Sequence, residues 1–169
     1  MFNEILGIEE FDNKYKINKR IAVRGIIIRD EKILMIKTSK GDYKLPGGGV
    51  NPSEDYISAL KREVCEETGY LVKSVGSFLG TILERGLDDF EADHYFEMTS
   101  NYYLVEISDV YVGQNLDEYE KNDNFKANWV SISEALETNK KIIKENRNIN
   151  SWVEREIISL KLIKERMNI

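Results

Sequence analysis

The sequence predicts one α/β domain over residues 1–169. Three observations carry that prediction. Apolar, β-branched runs stand both before and after a central helix. That helix has a marked start and a marked stop within residues 51–69. A last helix with a single apolar stripe follows near the C-terminus. A chain of 169 residues can bury a core of its own.

Residues 1–20 are mixed and charged and are assigned to an edge strand or a hairpin. Residues 21–29 (IAVRGIIIR) read as a buried strand. Asp30 and Glu31 make a short turn, and residues 32–37 (KILMIK) return as the second strand of a hairpin. A polar loop leads through Tyr43, Lys44, Leu45 and Pro46 into Gly47, Gly48 and Gly49. Residues 71–83 give one or two strands, with Gly76 and Gly80 as breaks. Residues 85–93 are polar, acidic and aperiodic, as a loop is; 94–107 form a long strand, and 109–126 a second long loop. A last strand covers 128–132. Ser131 with Glu134 offers a capping box for a short helix over 134–141, and Ser151 with Glu154 offers another. Val153, Ile157, Leu160 and Ile163 give the last helix its stripe.

The chemistry lies in the central stretch. Asn51 is suited to cap the helix, Pro52 to its first turn, and Glu54 completes a capping box three residues after Asn51. Gly69 supplies the stop. At about 100° per residue, Ile57, Leu60 and Val64 fall on one stripe facing the core. Glu63, Glu66 and Glu67 fall together beside it, three and four residues apart, so their carboxylates converge. Like charges at that spacing destabilise a helix by roughly a few tenths of a kcal/mol. A divalent cation would compensate, and hard oxygen ligands suit Mg²⁺ or Mn²⁺. A glutamate cluster alone describes a solvated helix face, and a glycine run alone marks many loops. The complete arrangement is far more specific.

Written from Gly48, that arrangement is G-x5-E-x7-R-E-V-x-E-E-x-G-Y, twenty-three residues in register. It closely resembles the signature box of the Nudix hydrolases, which cleave a nucleoside diphosphate linked to another group X. One position departs: the last, usually aliphatic, is Tyr70 here, and it is a packing position. The Lys44 to Gly49 approach and the Trp129-Val130-Ser131 stretch extend the likeness over most of the chain. The resemblance implies an α/β/α sandwich with a mixed sheet, and metal-dependent hydrolysis of a pyrophosphate bond. It implies that Glu63, Glu66 and Glu67 hold Mg²⁺ (or Mn²⁺), helped by carbonyls near Gly48. Glu66, Glu63 and Arg62 are its catalytic candidates, with Glu66 the general base within the box. Outside the box, Asp88, Asp89, Glu91, Asp93 and Glu97 are candidates for that base. Gly47, Gly48, Gly49 and Glu54 bind substrate or position the loop, with Arg62 and Glu54 tying loop to helix.

Sub-family markers after the box do not match. The ADP-ribose type carries a proline where this chain has Arg85, and no proline follows Pro52. The dinucleoside-polyphosphate type carries a tyrosine where Gly86, Leu87 and Asp88 stand. The X group therefore stays open among nucleoside triphosphates, nucleotide sugars and related derivatives. Two rivals are a silent nucleotide-binding regulatory module and a diphosphatase acting on a non-nucleotide. Regulatory modules commonly lose box glutamates, and this chain keeps them all.

The net charge of −6 argues against a broad nucleic-acid surface; the partner the resemblance implies is a small-molecule nucleoside diphosphate derivative. The single cysteine, Cys65, reads as a small thiol beside the core stripe. Neither a signal peptide nor a bilayer-spanning run is visible, so a cytoplasmic protein without membrane partners is expected. The resemblance also suggests a homodimer. His94, the only histidine, reads as structural. Alternation along the strand sends some of Phe90, Tyr95, Phe96, Tyr102 and Tyr103 to the core and leaves at most two or three for base stacking.

Overall fold

A computed structural model describes residues 1–8, 10–145 and 149–168. The elements are β1 (Phe2–Gly7), β2 (Lys16–Ile26), β3 (Ile28–Arg29), β4 (Lys32–Lys37), β5 (Tyr43–Lys44) and α1 (Tyr56–Thr68). They continue with β6 (Tyr70–Leu87), β7 (His94–Tyr111), α2 (Glu118–Asn122), β8 (Lys126–Val130), α3 (Ile132–Glu145) and α4 (Val153–Met167).

The larger sheet has the order β1-β6-β7-β2 and is mixed: β6 and β7 are antiparallel, while β1 on β6 and β2 on β7 are parallel. A smaller antiparallel sheet groups β3, β4, β5 and β8. The chain passes from one sheet to the other at Ile27, between β2 and β3. The turn after β3 places Asp30 and Glu31 at φ 50° and 60°, the twist of a tight hairpin.

Both faces of the sheets are covered. Along β4, Ile33 and Met35 enter one core cluster with α3 and α4, and Leu34 enters the other with α1. That alternation, on a strand buried from both sides, is why KILMIK reads as an unbroken apolar run. The result is the α/β/α arrangement with a mixed sheet. Leu160 and Ile163 of α4 are fully buried, so truncating either costs roughly 2–5 kcal/mol. Among the described residues no helix is long and apolar enough to cross a membrane.

Several local expectations are corrected. Helix α1 begins after Asp55, whose side chain accepts from the Ile57 and Ser58 amides at 3.0 Å each. Asn51 and Glu54 instead close a turn outside the helix, the Glu54 amide donating to the Asn51 carbonyl at 3.0 Å. Ala59, not Ile57, joins Leu60 and Val64 in the core; Ile57 is 37% exposed. Gly69 does stop the helix, at φ 77°.

Gly76 and Gly80 do not divide residues 70–87. They lie in one strand whose register shifts around Val75, Phe78 and Gly80, so the irregularities are bulges rather than breaks. The acidic loop shrinks to residues 88–93 because β6 runs on to Leu87. The second loop contains α2, and α3 is longer than its cap suggested. Ser131 does cap α3, accepting from the Glu134 amide at 3.1 Å. No side chain caps α4, so Ser151 does not act there. Its start is anchored inward, by Trp152 Nε1 and Asn150 Nδ2 donating to the buried Asp42 carboxylate at 2.8 and 3.0 Å.

Candidate active site

The glycine loop lies along the outer edge of β2. Gly25 donates to the Pro46 carbonyl, Val23 to Gly48 and Val50 to Ile21, at 2.8, 3.0 and 2.9 Å. Gly47 has φ 138°, and a Cβ there would strike the Val23 carbonyl at 2.1 Å, so only glycine fits. The carbonyl of Gly47 accepts from the buried Arg24 guanidinium. At Gly48 the missing Cβ makes room for a catalytic candidate: it would lie 2.4 Å from the Glu63 carboxylate.

Arg62 ties this loop to α1. Its Nε and Nη2 donate to the two oxygens of Glu54 at 2.9 and 2.8 Å, the two-pronged geometry that suits a carboxylate. Nη1 reaches Glu63 at 2.7 Å and Glu66 at 3.1 Å, and Nη2 reaches the Gly49 carbonyl at 3.2 Å. These bonds hold Glu54 below the usual carboxylate range and raise the Arg62 pKa further. Glu63 is pushed up, because its burial outweighs the hydrogen bond from Arg62.

Glu67 is 1% exposed. It accepts from the Gly47 amide at 2.8 Å and from the Lys44 ammonium, which also lies over the Phe125 ring. The loop after β7 is fixed to the end of α1, Asn115 donating to the Glu66 carbonyl at 2.9 Å and Gln114 to that of Glu67. Those bonds satisfy carbonyls that a helix end leaves open. They also set α2, where Asp117 and Glu120 form a reciprocal capping box. In consequence Glu120 faces the box. Oxygens of Glu63, Glu67 and Glu120 all lie within 4.8 Å of one another. Glu120 is pushed up to about 7, first by burial and then by the charge of Glu67, against the Asp117 amide that favours its ionised form.

Three convergent carboxylates in a partly dry site repel one another, and Lys44 compensates only in part. An all-oxygen, anionic set fits a hard divalent cation such as Mg²⁺ or Mn²⁺. Glu66 stands outside the trio, 33% exposed at the side chain and bound to Arg62.

The family model that matches this sequence is that of the NUDIX domain, over residues 18–153. The chain belongs to the NUDIX family. It is similar to the ADP-ribose pyrophosphatase of Methanocaldococcus jannaschii, 45% identical over 73 residues, covering 40% of this chain and 43% of that protein. It is also similar to the RNA pyrophosphohydrolase of Pelagibacter ubique, 39% identical over 62 residues, covering 34% and 39%. The matched stretch thus spans less than half the length of each of these relatives. A NUDIX hydrolase from Nitrosomonas europaea shares the fold at a TM-score of 0.57 and 19% identity, covering 83% of this chain and 86% of that one. A MutT NUDIX hydrolase from Burkholderia pseudomallei does so at 0.51 and 21%, covering 83% and 96%.

The carboxylate trio of this NUDIX domain lines a cavity of about 690 Å³. Its floor is the larger sheet: Arg20, Ala22 and Arg24 alternate along β2, with Phe96 and Met98 on β7. The glycine loop forms one wall, and α2 with Trp152 forms another. Of the carboxylates proposed outside the box, Asp88 and Asp89 line the cavity. Asp88 is engaged by Asn18 at 2.9 Å and by the Phe90 amide at 2.8 Å. Glu97 is paired with Arg85 and Lys19 at 3.0 and 3.3 Å, and Glu91 with His94 at 3.4 Å. Asp93 adopts φ 59° in the turn before β7. The His94 ring lies 2.9 Å from the Ala92 carbonyl, a local structural contact. Tyr95 and Tyr102 are core residues, while Phe90 and Phe96 face the cavity.

Sequence reasoning missed Glu120. A signal existed: Asp117-x-x-Glu120 is itself a capping box, the pattern used to mark helix starts elsewhere in the chain.

Proposed function

We propose that this protein hydrolyses the pyrophosphate bond of a nucleoside diphosphate linked to another group X, in a reaction dependent on Mg²⁺ or Mn²⁺. The observation that carries the reading is the convergence of Glu63, Glu67 and Glu120 beside the glycine loop, at one wall of a cleft large enough for a nucleotide. The printed names of the relatives, an ADP-ribose pyrophosphatase and an RNA pyrophosphohydrolase, support cleavage of that bond type.

Glu63, Glu67 and Glu120 would hold the cation. When bound, it would neutralise phosphate oxygens and lower the pKa of the attacking water. The chain does the rest by position. Arg62 fixes Glu63 and braces the loop through Glu54 and the Gly49 carbonyl. Lys44 holds Glu67 and brings positive charge to the same wall. Outside the trio, Glu66 on the outer side of Arg62 is the carboxylate placed to take the proton. Phe90, Phe96 and Trp152 line the cleft and offer flat surfaces to a base.

The test is a release assay with Mg²⁺ or Mn²⁺ across nucleoside triphosphates, nucleotide sugars, ADP-ribose, dinucleoside polyphosphates and capped RNA 5′ ends. Metal-dependent cleavage of one class, lost in Glu67→Gln, supports the reading and names X. Tight binding of one nucleotide with no turnover would replace it by a binding module.

A further inference from the structure

We propose that Arg20 is a substrate-phosphate clamp, its guanidinium lying where Gly49 leaves space and taking non-bridging oxygens of the diphosphate. This rests on the pyrophosphate reading above and adds to it a residue outside the box.

Five cationic side chains line the cavity: Arg20, Arg24, Lys44, Arg85 and Arg155. Four are engaged. Arg24 donates to the Gly47 carbonyl, Lys44 pairs with Glu67, Arg85 with Glu97, and Arg155 with Glu84 and Glu156. The Arg20 side chain has no hydrogen bond or ion pair with any described residue. In a chain of net charge −6, an arginine left unpaired within an acid-lined cleft is available for an incoming anion.

Its position suits that use. Arg20 is two residues before Ala22 on β2, on the face that forms the cavity floor. Its head turns to the glycine loop: a Cβ on Gly49 would lie 2.9 Å from Nη2 and 3.2 Å from Nε. The preceding residue, Gly48, stands against the Glu63 carboxylate. Successive Cα atoms are about 3.8 Å apart. The proposed cation site and the free guanidinium therefore flank neighbouring residues of one loop. A diphosphate seated against that loop would present oxygens toward Arg20. The planar fork matches phosphate oxygens in pairs, which a lysine in that place would not do.

Gly49 then has a second use. No positive φ constrains it, and alanine there would meet only the far end of the Arg20 side chain. Gly49→Ala is expected to fold normally and to displace the guanidinium.

The probe is methylenediphosphonate, a diphosphate analogue whose P–C–P bridge cannot be hydrolysed, titrated by calorimetry at saturating Mg²⁺. Wild type should bind it, and Glu67→Gln should not. Arg20→Gln should bind roughly tenfold to a hundredfold more weakly, as loss of a charge-assisted contact does. Gly49→Ala should weaken binding as well, and adding it to Arg20→Gln should change nothing further. Arg166→Gln, which removes an equal charge at the exposed end of α4, should bind as wild type. Wild-type affinity in Arg20→Gln, with binding still lost in Glu67→Gln, would overturn the Arg20 assignment and leave the pyrophosphate reading standing. Equal weakening in Arg166→Gln would overturn it too, reducing the effect to net charge. No binding by wild type would remove the pyrophosphate reading, and this assignment with it.

Discussion

The ammonium of Lys44 and the carboxylate of Glu67 are in contact with almost no solvent around either, their side chains 8% and 1% exposed. Neither is held by local sequence: Lys44 ends β5 and Glu67 sits late in α1. Breaking a buried pair by removing one partner costs about 3–5 kcal/mol, because the other charge is left uncompensated. Lys44→Met should therefore lower the stability of the metal-free protein by roughly that amount at neutral pH, read by urea unfolding. Saturating Mg²⁺ should recover part of the loss if it binds the trio, since a cation there would take over the compensation of Glu67.

The metal-free protein should also lose stability as the pH rises toward neutral. The folded-state pKa of Glu120, about 7, lies above its ordinary 4.5. Such a group contributes stability that is fully present below the ordinary value and lost as pH rises through the folded one. Glu63 is raised as well and adds to the same trend. Thermal midpoints of metal-free protein should fall between about pH 5 and about pH 8, and Mg²⁺ should flatten the fall. Glu120→Gln should flatten it without metal. At acid pH the sign reverses for Glu54, whose pKa is held down by Arg62; its contribution is lost as the carboxylate protonates.

Arg62→Lys keeps the charge and loses the fork. One ammonium cannot bond both oxygens of Glu54, Glu63, Glu66 and the Gly49 carbonyl together. Turnover should fall by about tenfold to a hundredfold, the usual cost of removing a bond that orients metal ligands, with far-ultraviolet circular dichroism unchanged.

The start of α1 can be read by mutation. Asp55→Ala removes the side chain that accepts two helix amides and should cost about 1 kcal/mol. Asn51→Ala, outside the helix, should cost less in the same denaturation experiment.

That contrast also shows how far the residues spell out the site. The box was legible because its spacing places Gly48, Glu54, Arg62, Glu63 and Glu67 in contact through one loop and one helix. Tertiary pairing then overrode local preference. Asn51 satisfies every local rule for a cap, yet Glu54 is drawn to Arg62 and leaves Asp55 to start the helix. Ser151 likewise gives way to Trp152 and Asn150, because both are anchored on Asp42 more than a hundred positions earlier. Glu120 lies far from the box in sequence and is brought to it by tertiary bonds, those of Gln114 and Asn115 to the end of α1 and that of the Ser39 amide to the Asp123 carbonyl at 2.8 Å. No periodicity within the loop encodes that approach. The strands fared better where both faces are buried, as in β4. They were misjudged in β6, where glycines produce bulges that look like breaks.

The most direct measurement is product release from the substrate panel under Mg²⁺, comparing wild type with Glu67→Gln and Glu120→Gln. Chelator-sensitive release that falls about a hundredfold or more in both variants is the predicted result. Release that persists with chelator, or at wild-type rates in both variants, would contradict a cation held by these carboxylates.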